Sequence, residues 1–254
     1  SSQAPPQSTE NRQRRRVMTP TEAAVDTVAR PAMAVLGAGS WGTALAVHLA
    51  RTGHPTVLWG RDAAQMAAFA AARCNTRYLP MAQFPATLAV EADLTRAVAS
   101  AQELLVAVPS HGFRECLEQV APLLRHDMRV CWATKGFELD TGKLPHQVAN
   151  EVLGIAVPKA VLSGPTFARE VGLGLPTAMT VASRDHDYAL ALARALSGRN
   201  FRAYASTDVV GVEVGGATKN VLAIGAGISD GLGFGANTRV ALITRGLAEM
   251  MRLG

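Results

Sequence analysis

Between Met33 and Ser206 the chain alternates two patterns. Short runs are apolar at nearly every position: MAVLG (33–37), TVLWG (56–60), ELLVAVP (103–109), RVCWATKG (129–136), KAVLSGP (159–165), TAMTVAS (177–183) and FRAYAS (201–206). Between several of them lie stretches with helical spacing, such as HGFRECLEQVAPLL (111–124) and DYALALARALSG (187–198). A strand buried on one face alternates apolar and polar residues, whereas a strand apolar throughout is buried on both. The alternation therefore predicts an α/β fold over 32–206, a Rossmann-like doubly wound, mostly parallel sheet. After Thr207 no convincing strand remains. Residues 207–254 read as Gly- and Ala-rich helices broken near 231–235, the start of an all-α C-terminal domain that reads as truncated, because Gly254 falls inside a helical pattern with no cap signal. Residues 1–31 carry no periodicity and read as a disordered polar tail.

The run AVLGAGSWGTAL (34–45) adds chemistry to that fold. A strand enters a turn with Gly37, Gly39 and Gly42 and leaves it as a helix, and a second strand follows, which is the setting in which a GxGxxG turn binds a dinucleotide. Gly37 permits the bend, Gly39 lets a pyrophosphate approach the main chain, and Gly42 lets the helix pack on the strand. Amides at the helix start then face the phosphates. A tight turn with no ligand is the plain alternative. The second strand ends in VLWGRD, with Gly60 where an acid would bind a ribose hydroxyl and Arg61 next. Arg61 suits a 2′-phosphate and so favours NADP over NAD. Asp62, one residue on, would restore an acid, and Arg61 as a solvated turn residue is the plain alternative.

Composition changes this picture little. The chain is 48% hydrophobic with a net charge of +5, a balance suited to a globular core and to small anionic ligands. Part of the excess charge lies in the tail, at Arg12, Arg14, Arg15 and Arg16, with no basic stripe and few aromatics to bind nucleic acid. Glu10, Glu22 and Asp26 argue against a transit peptide, the first thirty residues hold no apolar signal region, and no run is long enough to span a bilayer. Cys74, Cys116 and Cys131 are widely spaced and the six histidines form no HxH or HxxxH pair, so neither a disulfide framework nor a metal site is expected, and a reducing cytoplasm is.

Only four of the 25 basic residues other than histidine are lysines. Arginine cannot give up its proton whereas a desolvated lysine can, so each retained lysine is a candidate for chemistry. Lys143 and Lys159 sit in polar turns. Lys135 directly follows a strand, at the carboxyl edge where doubly wound sheets bind ligands, or it is a plain loop charge. Lys219 lies beside Asn220 in the apolar helix VGGATKNVLAIGAG, where burial would lower its pKa, unless it snorkels. In LSGPTFARE (162–170), Ser163 and Gly164 end a strand, and Thr166 and Ala168 open the next segment, either as a polar substrate site or as a simple turn. His111 reads as a first-turn residue behind an N-cap at Ser110.

Taken in order, GAGSWGTALA, VLWGRD, LLVAVPSH, TKGFE, SGPTFAREV and GGATKNVLAIGAGISDGLGFGANTRVALITRGLAEM make residues 32–254 resemble the bacterial NAD(P)-dependent glycerol-3-phosphate dehydrogenases. The resemblance implies reversible reduction of dihydroxyacetone phosphate to sn-glycerol 3-phosphate with NADPH or NADH, feeding phospholipid synthesis, by a cytoplasmic enzyme for which a homodimer is the candidate assembly. It implies cofactor contacts at Ser40, Trp41, Arg61 and Ala168, with Lys135 touching cofactor and substrate. Gly164, Thr166, Lys219 and Asn220 would line the substrate site, with Lys219 as proton acceptor; many relatives have Ser at the place of Thr166. Family members continue with a GLGDL-like segment and a Ser-Arg-Asn motif that this chain does not reach. Rival readings are another dehydrogenase with a helical second domain, of the 3-hydroxyacid or 6-phosphogluconate type, and a dinucleotide-binding sensor without catalysis.

Overall fold

The structure is a computed structural model that describes residues 30–253, so the tail reading for 1–31 lies almost entirely outside the described residues. In chain order the elements are β1 (Met33–Leu36), α1 (Ser40–Arg51), β2 (Thr56–Trp59), α2 (Ala63–Ala72), β3 (Cys74–Asn75), β4 (Leu79–Gln83), β5 (Leu88–Glu91), α3 (Leu94–Ala99), β6 (Glu103–Val106) and α4 (Phe113–Val120). There follow β7 (Arg129–Trp132), α5 (Pro145–Leu153), β8 (Lys159–Ser163), α6 (Ala168–Leu173), β9 (Thr177–Ala182), α7 (His186–Leu196), β10 (Phe201–Ser206), α8 (Val209–Gly231) and α9 (Ala236–Leu253).

Eight strands form one sheet in the order β10-β9-β8-β7-β6-β1-β2-β5. Every neighbouring pair is parallel except β8–β9. The chain moves outward from β1 through β2 to β5, then returns to β6 on the other side, so the winding reverses between β1 and β6. In open sheets of this kind a crevice opens beyond the strand carboxyl ends at that reversal. The central strands β1 and β6 are buried at every position, which accounts for their lack of alternation. Two apolar layers sandwich the sheet. One joins Leu45, Leu49, Phe69, Leu105 and Val181; the other joins Leu36, Leu104, Leu117, Val130 and Trp132.

All seven apolar runs contain a strand. Two features have no counterpart in the apolar pattern. β5 is a half-exposed edge strand, and β3–β4 is a short antiparallel hairpin interrupted by Pro80. Ser110 is not an N-cap. It lies inside a short 3₁₀ turn, Ser110–Gly112, entered through Pro109 with no side-chain cap, and α4 begins only at Phe113. Beyond β10 the described chain is helical: α8 and α9 pack on each other and leave Val221, Ile224, Ile228, Leu232, Val240 and Met251 exposed.

Candidate functional site

The glycine turn sits at the mouth of the crevice. Gly37 has φ +120°, in the left-handed region, and a Cβ there would lie 2.8 Å from the Ala107 carbonyl oxygen at the end of β6. A Cβ on Gly42 would lie 1.9 Å from the Gly37 carbonyl oxygen, so only glycine lets α1 start this close to the turn. Gly39 differs from both: its φ is −76° and its missing Cβ faces open space. Its value is clearance for a ligand. The first intrahelical bond of α1 runs from the Thr43 amide to the Gly39 carbonyl at 3.0 Å, so the amides of Ser40, Trp41 and Gly42 precede the ladder. No side chain caps them, and together with the helix dipole they form an anion-binding end.

Asn75 fixes the far wall. Its Nδ2 donates to the Ala38 carbonyl (3.0 Å) and to Thr43 Oγ1 (2.8 Å), and its Oδ1 accepts from the Tyr78 amide (2.9 Å). The buried amide thus pins the β3–β4 hairpin to the glycine turn and brings Arg77 and Tyr78 to the crevice. Sequence reasoning missed all three residues. Asn75 is polar yet fully buried, and nothing in the sequence around it marks that.

The crevice is an open cleft of about 1060 Å³. Gly37, Gly39, Ser40, Trp41, Arg61, Lys135, Thr166 and Ala168 line it, together with His111, which is exposed on the 3₁₀ turn. Gly42 lies beneath the turn, and Gly164 and Lys219 sit behind Lys135. Asn220 is exposed on α8 and does not line the cleft. Two buried polar atoms of the lining, Trp41 Nε1 and Thr166 Oγ1, have no hydrogen-bond partner among the described residues, as expected of groups kept for a ligand. At the β2 end, Asp62 caps α2 by accepting from the Gln65 amide at 3.0 Å, which leaves Arg61 as the exposed charge beside Gly60.

Two amines meet at the opposite end. Lys219 Nζ donates to the Gly164 carbonyl at 2.5 Å, and Lys135 Nζ approaches the same oxygen at 3.4 Å. Gly164 passes so close to β9 that a Cβ would lie 2.9 Å from Met179 Cα, and this crossing turns its carbonyl toward the lysines. Lys135 also lies 5.3 Å from the centre of the Trp41 ring. Lys135 is pushed down to about 8, first by burial and then by the nearby charge of Lys219. A pair of amines, one of them easier to deprotonate than an ordinary lysine, in a site with an unpartnered hydroxyl suits a substrate that carries both a phosphate and an oxygen that gains or loses a proton.

Among the described residues no three His, Cys, Asp or Glu side chains cluster as metal ligands, and no helix is long and apolar enough to cross a membrane. The model of the NAD-dependent glycerol-3-phosphate dehydrogenase N-terminus matches residues 32–189, and that of the C-terminus matches 208–254. The chain is 59% identical over 223 residues to the glycerol-3-phosphate dehydrogenase [NAD(P)+] of Edwardsiella ictaluri, covering 87% of this chain and 66% of that protein. It is 59% identical over 224 residues to the same-named protein of Aeromonas salmonicida, covering 88% of this chain and 67% of the relative. The chain thus spans about two thirds of the length of these curated relatives. A crystal structure of glycerol-3-phosphate dehydrogenase from Coxiella burnetii superposes with TM-score 0.83 at 45% identity, over 88% of this chain and 68% of that one.

Proposed function

Because the chain belongs to the NAD-dependent glycerol-3-phosphate dehydrogenase family, we propose that it reduces dihydroxyacetone phosphate reversibly to sn-glycerol 3-phosphate with NADPH or NADH, feeding glycerophospholipid synthesis. One observation carries the reading: two lysine amines converge on the Gly164 carbonyl beside a cleft that is also lined by the amide-bearing start of α1. In this reading 32–206 is the dinucleotide-binding domain and 207–254 belongs to a helical substrate domain. The working compartment is the cytoplasm and the assembly a homodimer.

Ser40, Trp41 and Ala168 would hold the dinucleotide along the cleft, with the pyrophosphate on the amides beside Gly39. Arg61 would hold a 2′-phosphate, so NADPH is the preferred form. When bound, the nicotinamide supplies or takes the hydride. The chain supplies position and a proton. Lys219 donates a proton to the C2 oxygen as charge develops on it, and accepts that proton in the reverse direction. Lys135 balances the negative charge of the substrate and holds it against Trp41. The Thr166 hydroxyl and the Gly164 backbone would orient the polar substrate; Asn220, exposed on α8 outside the cleft, has no part in this reading.

The purified protein is expected to consume NADPH on addition of dihydroxyacetone phosphate, followed by absorbance. Lys219→Ala is expected to lose at least about a hundred-fold in kcat, the usual contribution of one positioned proton donor, while NADPH still binds. Turnover close to the parent in that variant removes Lys219 from the chemistry. No NADPH oxidation with any carbonyl substrate would favour a sensor instead.

A further inference from the structure

Glu213, Gly216 and Lys219 are spaced by three along α8 and form one stripe of that helix. Each meets a different part of the sheet's carboxyl rim. Lys219 reaches the Gly164 carbonyl. Gly216 faces β8 so closely that a Cβ would lie 2.5 Å from Ser163 Oγ. Glu213, only 5% exposed, accepts from Trp132 Nε1–H at 3.0 Å and from the His146 amide at 2.9 Å with one carboxylate oxygen, and its other oxygen pairs with His146 Nδ1 at 2.5 Å.

These three contacts bracket Lys135. Trp132 ends β7 three residues before Lys135, and His146 opens α5 just after the loop that carries it. A single carboxylate therefore grips both ends of the Lys135 loop while standing on the helix that carries Lys219. An apolar side chain would fill the same space but leave α8 free to rotate. Directed hydrogen bonds from two elements set both the rotation of the helix and its height. Glu213 hydrogen-bonds to neither amine, so its effect on them passes through geometry.

We propose that Glu213 is a positioning residue that fixes the spacing between the Lys135 and Lys219 amines. This rests on the dehydrogenase reading for its purpose, although not for its test. Acetic anhydride reacts only with unprotonated amines, so its rate of attack on Lys135 as a function of pH, read by mass spectrometry, gives the midpoint of that amine without any turnover. Loosening the clamp lets the amines drift apart and weakens the influence of Lys219 on Lys135.

In Glu213→Gln the Lys135 midpoint is expected to rise by about half a pH unit or more toward the ordinary lysine value. With dihydroxyacetone phosphate, kcat is expected to fall about ten-fold or more while KM for NADPH stays within about two-fold. A residue that only stabilises the fold would lower the melting temperature and leave the midpoint where it was, and that result overturns the proposal. If Glu213→Gln does not fold, Trp132→Phe removes one donor while keeping most of the bulk and is expected to move the midpoint the same way by less; an unmoved midpoint there also overturns it. A wild-type protein inactive on dihydroxyacetone phosphate overturns the dehydrogenase reading instead, and the labelling result still decides for or against the clamp.

Discussion

A single carbonyl oxygen, that of Gly164, draws together two amines that repel each other when both are charged. The arrangement works against stability. The folded state holds Lys135 at about 8, below its usual value of 10.5, so between these values the unfolded chain binds more protons than the folded one. Stability from this group therefore rises with pH across that window, and at neutral pH the buried charge is a cost. Lys135→Met is expected to raise the melting temperature at pH 7, with the gain shrinking toward pH 10.5, while turnover is lost; calorimetry over that range checks it. In the parent protein, KM for the phosphate substrate is expected to rise as pH passes through about 8 and Lys135 loses its charge. Arg61→Ala is expected to narrow the preference for NADPH over NADH about ten-fold or more, as loss of a charge-assisted phosphate contact would. The lysines were legible because the chain uses arginine almost everywhere else. Asn75 and Glu213 were not, because each ties together segments tens of residues apart, and a polar residue in a sequence carries no mark of its burial.

At the level of elements, the strand–turn–helix unit was readable because its glycines answer three separate geometric demands, and these can be told apart. Gly42→Ala drives a methyl group into the Gly37 carbonyl, so α1 must shift off β1; a loss of about 2 kcal/mol or more in stability is expected from urea melts. Gly39→Ala places its methyl group in open space at an ordinary φ, so stability is expected to stay within about 1 kcal/mol of the parent. The same methyl group stands where the pyrophosphate would approach, and NADPH affinity measured by fluorescence titration is expected to fall about ten-fold or more. Asn75→Ala leaves the Ala38 carbonyl and the Tyr78 amide short of a partner, and a loss of about 1–3 kcal/mol is expected. The seven apolar runs declared themselves because burial on both faces removes polar positions. β5 is half exposed and β4 buries only Leu79 and Ala82 of its five residues, so neither carries that signature.

On the scale of the whole molecule, acid sensitivity traces to the packing between α1 and the α7–β10 edge. His48 is buried on α1, its Nε2 lies 2.7 Å from the Leu196 carbonyl and its ring stacks on Phe201 at 4.1 Å. Burial holds its pKa below 6.5, so the unfolded chain takes up its proton first, and stability from this group is lost as pH falls below about 6.5. Glu103, raised by burial at the start of β6, acts in the opposite sense as pH falls. His48→Gln is therefore expected to lower the melting temperature at pH 7.5 but to flatten its decline between about pH 6.5 and 5, which thermal melts at stepped pH would read. The parallel core and the helical character after Thr207 were visible in the apolar pattern; the inverted β8–β9 pairing was not, since a buried strand reads the same in either direction.

That inversion has a consequence for where Lys219 stands. Because β9 runs against β8 and β10 runs with β9, the chain leaves Ser206 at the rim opposite the cleft, where the Ser206 carbonyl accepts from the Ser183 amide and Ser183 Oγ donates to the Lys159 carbonyl. α8 must then climb the full height of the sheet. From its cap at Asp208 to Gly216 the helix gains about 12 Å, and β8 from Lys159 to Ser163 spans about 13 Å, so the helix acts as a ruler cut to the length of the strand. One residue deleted between Asp208 and Lys219 swings that amine about a quarter-turn away and lowers it about 1.5 Å, whereas a residue added in the exposed loop before His186 leaves the ruler intact.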